Sequence, residues 1–197
     1  MRLGLGTPPA TLIDGSTSFD AVALGALATW NDYLGRIQFS GVSGSIPAPG
    51  RGDRVNNAFF SSTVYGSGFG ANTLAIALTS FTGTTYVESD VLFNSIFNWN
   101  SYRGPIRTAP GGGNLVDFRR VALHEFGHCL GLDHPDQAGQ SVTAIMNSTM
   151  SNIDSLTTDD IAGAQTIYSM VVGPPRSSPY SLSRRQSPRA TRSPSPS

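Results

Sequence analysis

The chain has 197 residues, enough for one domain of ordinary size with a hydrophobic core and a short appendage. Charged residues make up only 13%, lysine is absent, and the formal net charge is zero. A single cysteine, Cys129, excludes an intrachain disulfide framework, and no apolar run approaches the length of a transmembrane helix.

The charge is unevenly spread. Residues 1–172 carry all 13 acids, whereas 173–197 carry five arginines and no acid. The missing lysine reads as a genome-composition effect. The first residues lack a continuous apolar run, so no signal peptide is visible. Either the chain is cytosolic or its true N-terminus is missing.

Residues 1–17 are rich in Gly, Thr and Pro and read as a lead-in segment with one short strand. Thr17 or Ser18 is placed to cap a helix starting near Phe19, with Asp20 three residues after Thr17 as in a capping box. Val22, Ala23, Ala26, Leu27, Trp30 and Leu34 form an apolar stripe of helical period, and Gly35 is a C-cap candidate. Ile37–Ser40 reads as a strand, 41–53 as a Gly/Pro/Ser loop, and 55–64 as one or two short strands. After a flexible turn at Gly66–Gly70 come an apolar strand at Leu74–Leu78 and a strand at Thr85–Phe93. In the latter, Val87, Val91 and Phe93 share one face. Residues 94–114 form a long loop containing Trp99 and Gly111–Gly113.

Asn114 is an N-cap candidate for the next helix, with Asp117 in its first turn. Leu115, Phe118, Ala122, Phe126 and Cys129 fall on one face, and His124 and His128 on another. Cys129 reads as a small buried apolar residue. A polar loop follows, then Ala144–Asn147 and a last helix. There Leu156 and Ile161 are spaced as a hydrophobic staple, and Thr157 and Asp160 as a capping box. Ile161, Ala164, Ile167 and Tyr168 supply its apolar stripe. Residues 173–197 are Ser/Pro/Arg-rich, too poor in apolar surface to fold. They read as a disordered tail, or as an electrostatic contact with cell wall, nucleic acid or anionic lipid.

The chemistry concentrates at 124–134, which reads H-E-x-x-H-x-x-G-x-x-H. Catalytic zinc is usually held by three protein ligands with one position left open for water. His124 and His128, four apart on a helix, reach one metal. Glu125 stands beside them, placed to take a proton from the activated water. Gly131 ends the helix in a left-handed conformation, so the chain turns back and His134 becomes the third ligand. All three histidines of the chain lie in this stretch.

These residues resemble the metzincin metalloproteases, and within them the matrixins, including bacterial members. Met146, twelve residues after His134, stands where that clan places its Met-turn. Residues 156–168 resemble the matrixin C-terminal helix, and Leu74–Leu78 with Glu88–Asn94 resemble its edge strand and the strand after it. The likeness spans roughly 17–170 and is most specific for 121–168. It implies an α+β, zincin-like fold. A twisted, mostly parallel five-stranded sheet packs with two helices, a smaller lower subdomain ends in a third helix, and a zinc cleft lies between. About four of those strands are legible in the sequence itself.

The resemblance also implies roles. His124, His128 and His134 hold one catalytic zinc, Glu125 is the general base, and Met146 supports the metal site from below. Asp159 and Asp160 brace the Met-turn and receive an N-terminal ammonium. Leu74, Ala75, Ile76, Ala77 and Leu78 form the edge along which an extended substrate lies, with a specificity pocket beside the zinc. There are departures from the family. No histidine is spare for a second, structural zinc, and no cysteine-switch prosegment is visible. Ser148, not tyrosine, stands two residues after Met146, unlike astacins and serralysins. Calcium has no clear motif. Glu88 and Asp90 are candidates, but alternating acids also suit the solvated face of a strand.

The expectation is therefore a monomeric zinc endopeptidase, residues 1–172, acting on protein or peptide substrates without nucleic acid. By resemblance it is secreted or extracytoplasmic. The alternatives are a non-catalytic zinc-containing binding module on the same scaffold and a zinc hydrolase of non-peptide substrates.

Overall fold

A computed structural model describes residues 1–168 except Pro9 and Pro47. The tail at 173–197 and the domain boundary near 172 lie outside the described residues. Among the described residues eight strands and three helices follow in the order β1 (Arg2–Gly4), α1 (Phe19–Asn31), β2 (Val42–Ser43), β3 (Asn57–Ser61), β4 (Ala75–Thr82), β5 (Thr85–Asn94), β6 (Trp99–Asn100), β7 (Arg107–Thr108), β8 (Asn114–Asp117), α2 (Phe118–Cys129) and α3 (Thr158–Ile167).

The main sheet has the order β2-β1-β3-β5-β4, parallel throughout except for β4, which runs antiparallel to β5 at one edge. This is the mostly parallel five-stranded sheet expected of the fold. A small second sheet, β6-β8-β7, fills the stretch read as a long loop. Those strands hold only two to four residues each, too few for a hydrophobic period to show.

The stripe of α1 is buried as its period requires, and Trp30 is fully buried with its indole N–H donating to the Leu123 carbonyl of α2 (2.9 Å). Phe19, Phe60, Phe93, Trp99 and Phe118 meet between sheet and helices in edge-on and tilted pairs. This packing fixes α2, and hence its histidines, beneath the sheet. Ser18 is the N-cap of α1, accepting from the Ala21 N–H, while Asp20 turns to the Leu5 N–H.

Several expectations are corrected. Helix α1 ends at Asn31, not Leu34, and Gly35 is not its cap. Tyr33 and Leu34 instead tighten the last turn through N–H bonds to Trp30 and Asn31, which still buries Leu34. Ile37–Ser40 is not a strand. The Asn31 side chain takes both the N–H and the carbonyl of Phe39, and sheet pairing begins at Val42 instead. Asn114 does not cap α2. Residues 114–117 pair as a strand with β6 and β7, so the helix starts at Phe118 after Asp117. Ladder pairing here overrides a local capping pattern. In α3 the capping box is present and Ala164 is buried, but Ile167 is 45% exposed, so the apolar stripe is narrower than its spacing suggests.

Glu88 and Asp90 are buried rather than solvated. Glu88 accepts from the backbone N–H groups of Gly52 (2.6 Å) and Arg54 (2.5 Å). Asp90 accepts from the Asn57 N–H (2.8 Å) and the Tyr65 hydroxyl (2.5 Å). All four oxygens meet donors, an arrangement that holds the 52–57 loop to the sheet.

Candidate metal centre and cleft

Helix α2 is amphipathic in the literal sense that one face is core and the other is site. Val121, Ala122, Leu123 and Phe126 are buried, while His124 and His128 face the cleft. The helix stops because Gly131 adopts φ +89°, a conformation costly for residues with a Cβ. The Leu132 N–H bonds back to the Gly127 carbonyl and the Gly131 N–H to that of His128, the paired bonds of a Schellman turn. The reversal carries His134 back to the helix.

The three imidazoles converge. Their Nε2 atoms lie 3.0 Å (His124–His128), 3.1 Å (His128–His134) and 3.1 Å (His124–His134) apart. Each Nδ1 faces an oxygen that can only accept: Ile145 carbonyl (2.8 Å), Leu132 carbonyl (2.6 Å) and Gln137 Oε1 (3.1 Å). The proton of each ring therefore belongs on Nδ1, leaving three Nε2 lone pairs aimed at one another. Without a cation such a cluster is repulsive. Protonating it is opposed too: burial and then the neighbouring His128 pull His124 down to about 4, and burial lowers His128. Three nitrogens at this spacing come within a few tenths of an ångström of one face of a tetrahedron with metal–nitrogen bonds of about 2.0–2.1 Å, whose edges are about 3.3 Å, so the residues present fit a zinc ion.

Glu125 points into the same cleft. It is 5% exposed, its Oε2 has no hydrogen-bond partner, and burial pushes its carboxyl up to about 8, partly offset by the Ala77 backbone N–H. Ala77 lies on β4, so the edge strand and the glutamate flank the same space. The cleft, of about 1070 Å³, is lined by β4 from Ala75, by the three histidines and Glu125, and by residues 144–151 on the opposite wall.

Met146 is 2% exposed beneath the histidines. Asp160 holds its turn, accepting from the N–H groups of Ile145 (3.0 Å) and Met146 (3.1 Å) as well as from the Thr157 N–H (2.7 Å). Asp160 thus caps α3 and braces the turn at once. Asp159 is not brought into this network. Among the described residues nothing donates to its side chain, whereas Asp160 accepts from three backbone N–H groups. Ala75–Leu78 lie in the edge strand, which extends four residues further to Thr82, whereas Leu74 precedes the strand and its carbonyl accepts from the Asn94 N–H. Cys129 is partly buried, and its thiol is pushed up to about 12, as suits an inert packing residue.

Sequence reasoning missed Ile145, Leu132 and Gln137, which orient the imidazoles. Two of them act through backbone carbonyls, which leave no mark on residue type. Also missed was Asp136, whose carboxylate accepts from the Ser148 N–H (2.9 Å) and hydroxyl (2.6 Å), tying the His134 loop to the far wall. Arg120 was missed as well. Buried at the cleft's inner end, it donates to the Gly104 carbonyl (2.6 Å) and lies 3.6 Å from Asp117.

Comparison with known proteins agrees with this geometry. Mouse (Mus musculus) matrilysin is 45% identical over 53 residues, 27% of this chain and 20% of the mouse protein, so the match spans about a fifth of that relative's length. The family model described as Matrixin matches residues 15–169. With most of its length matched and a three-histidine cluster in a cleft beneath a five-stranded sheet, the chain belongs to the matrixin family.

Proposed function

We propose that the chain is a zinc-dependent endopeptidase whose catalytic domain is the folded part of 1–172. The observation that carries this is the convergence of three Nε2 atoms beside an unpartnered, buried Glu125 oxygen. His124, His128 and His134 would hold the metal. Zinc bound there would supply a water acidified to a pKa of about 7 and polarisation of a carbonyl oxygen.

The chain's own residues supply the rest. Glu125 Oε2, with no donor to satisfy, is free to take the proton of the attacking water. The carboxylate needed for that step would be favoured by a cation bound at the three histidines, and the same oxygen could then return the proton to the leaving amine. The Ala77 N–H beside Glu125 marks where the substrate backbone runs. An extended peptide would add to β4, whose outer edge is unpaired at the end of the sheet. Specificity would come from the space beside the metal between α2 and residues 147–151, with Arg120 at its inner end. Met146 and Asp160 act as positioning residues, and Asp159 is given no role. Substrates would be proteins met outside the cytoplasm, as the family resemblance implies, with the chain acting as a monomer. Among the described residues no helix is long and apolar enough to cross a membrane. We assign the 173–197 segment to a tail outside the domain.

The test is cleavage of a quenched peptide library by the purified chain, with and without a zinc chelator, beside the Glu125→Gln variant. Loss under both treatments is expected, with the variant down by roughly 10²–10⁴-fold at unchanged zinc content. Zinc binding without any cleavage would favour the binding module. Turnover of small esters or amides alone would favour a non-peptide hydrolase.

A further inference from the structure

The β4–β5 hairpin carries an aromatic pair that the reaction does not use. Phe81 and Tyr86 stack with ring centroids 4.5 Å apart, yet they are 56% and 39% exposed. The other described aromatic side chains are buried or half-buried; these two are exposed, and the surface they line is the cleft. Both line it, together with His128 and Leu132.

A defect in the ladder puts them there. Ser80 pairs with Glu88, but Phe81 pairs with Tyr86, so Val87 has no partner and forms a bulge. Before the bulge, Ala75, Ala77 and Thr79 share the helix-side face with Phe93, Val91 and Ser89. In an unbroken ladder Val87 would be next on that face and Tyr86 would point away. The extra residue shifts Tyr86 by one position, onto the face of Phe81.

Tyr86 is anchored. Its hydroxyl lies so close to the backbone of Gly131 that a Cβ there would be 2.7 Å from it. The pair is therefore seated on the turn that closes the metal site, with Tyr86 fixed below and Phe81 presenting its ring to solvent.

Ala77 marks the reacting end of β4, and Phe81 lies four residues further along the same edge, about 13 Å away at 3.3 Å per residue. In a strand added to β4, the residue opposite Phe81 has its side chain on the Phe81 face. Resting on the endopeptidase reading above, we infer that Phe81 and Tyr86 form an apolar subsite taking an aromatic or large aliphatic side chain of the substrate about four residues from the scissile bond. The occupant is a substrate side chain because the pair is continuous with the cleft and lies on the line of the unpaired edge.

The experiment measures binding and turnover separately. Binding is read by fluorescence anisotropy with the zinc-loaded Glu125→Gln protein and short fluorescein-labelled peptides in which one Phe is walked through an otherwise fixed Ala/Ser background. One Phe position should bind about tenfold tighter than its Ala counterpart. Phe81→Ala in the same background should reduce that preference to within about twofold, and Phe81→Leu should retain most of it. Unchanged thermal melting of Phe81→Ala separates lost recognition from lost fold. The inference is overturned if no Phe position gains affinity, or if the gain survives Phe81→Ala. Wild-type turnover of the same peptides judges the endopeptidase reading independently. Binding with the expected preference but no cleavage would leave the subsite standing and remove the reaction.

Discussion

Gly127 and Met146 touch beneath the metal site: a Cβ on Gly127 would collide with the Met146 sulfur and lie 3.1 Å from Cζ2 of Trp30. A glycine in mid-helix forfeits about 1 kcal/mol of helix propensity relative to alanine. Here it lets the Met-turn press against the helix that carries two of the histidines. Gly127→Ala should therefore destabilise the protein by about 1–2 kcal/mol despite the better propensity, because overpacking a dense core costs about 1–3 kcal/mol. Denaturant unfolding measures this directly. A variant more stable than the parent would show that the contact is slack.

Asp160 is the second support. It accepts from Ile145, Met146 and Thr157 while 2% exposed, and Ile145 in turn receives the Nδ1 proton of His124. Asp160→Asn keeps the shape but removes the charge and one acceptor oxygen. A loss of about 2–3 kcal/mol is expected, from weakened charge-assisted bonds and a misplaced amide. Because the bond chain ends on a ligand, zinc affinity should fall with it. Competition against a chromophoric chelator reads the affinity, and an unchanged value would confine Asp160 to capping α3.

Removal of the metal should expose the cost of the histidine cluster. In the metal-free protein His124 is held down to about 4 and His128 is lowered, so the folded state binds fewer protons than the unfolded chain. Stability conferred by these neutral rings is present above pH 6.5 and is lost as pH falls from 6.5 toward 4. In the Glu125→Gln background, which removes the opposing titration of a carboxyl pushed up to about 8, the melting temperature of chelated protein should thus fall between pH 7 and pH 5. Zinc-loaded protein should melt higher at pH 7, with the difference narrowing as the pH drops because ligands must be deprotonated to bind. A flat melting temperature for the metal-free Glu125→Gln protein across that range would contradict the burial of the cluster.

Much of the site could be read from residue types alone. His124, His128 and Glu125 are placed by helical spacing, Gly131 by the need for positive φ, and His134 by the turn that follows. The α1 stripe and the α3 capping box are likewise local, set by 3.6-residue periodicity and by side chains bonding their own backbone. These features survive translation from sequence to structure because their causes lie within a few residues of each other.

What the tertiary structure alone decided depends on partners distant in the chain. Asn114 looks like a cap, but pairing with β6 and β7 takes residues 114–117 into a strand. Glu88 and Asp90 look solvated, yet distant backbone donors and Tyr65 bury and satisfy them. Ile145 and Leu132 orient histidines through carbonyls that every residue possesses. One unpaired residue, Val87, swings Tyr86 onto the cleft face, a shift that ladder register sets and composition cannot encode. Residue identity determined which chemistry the chain carries; long-range pairing determined which surfaces that chemistry faces.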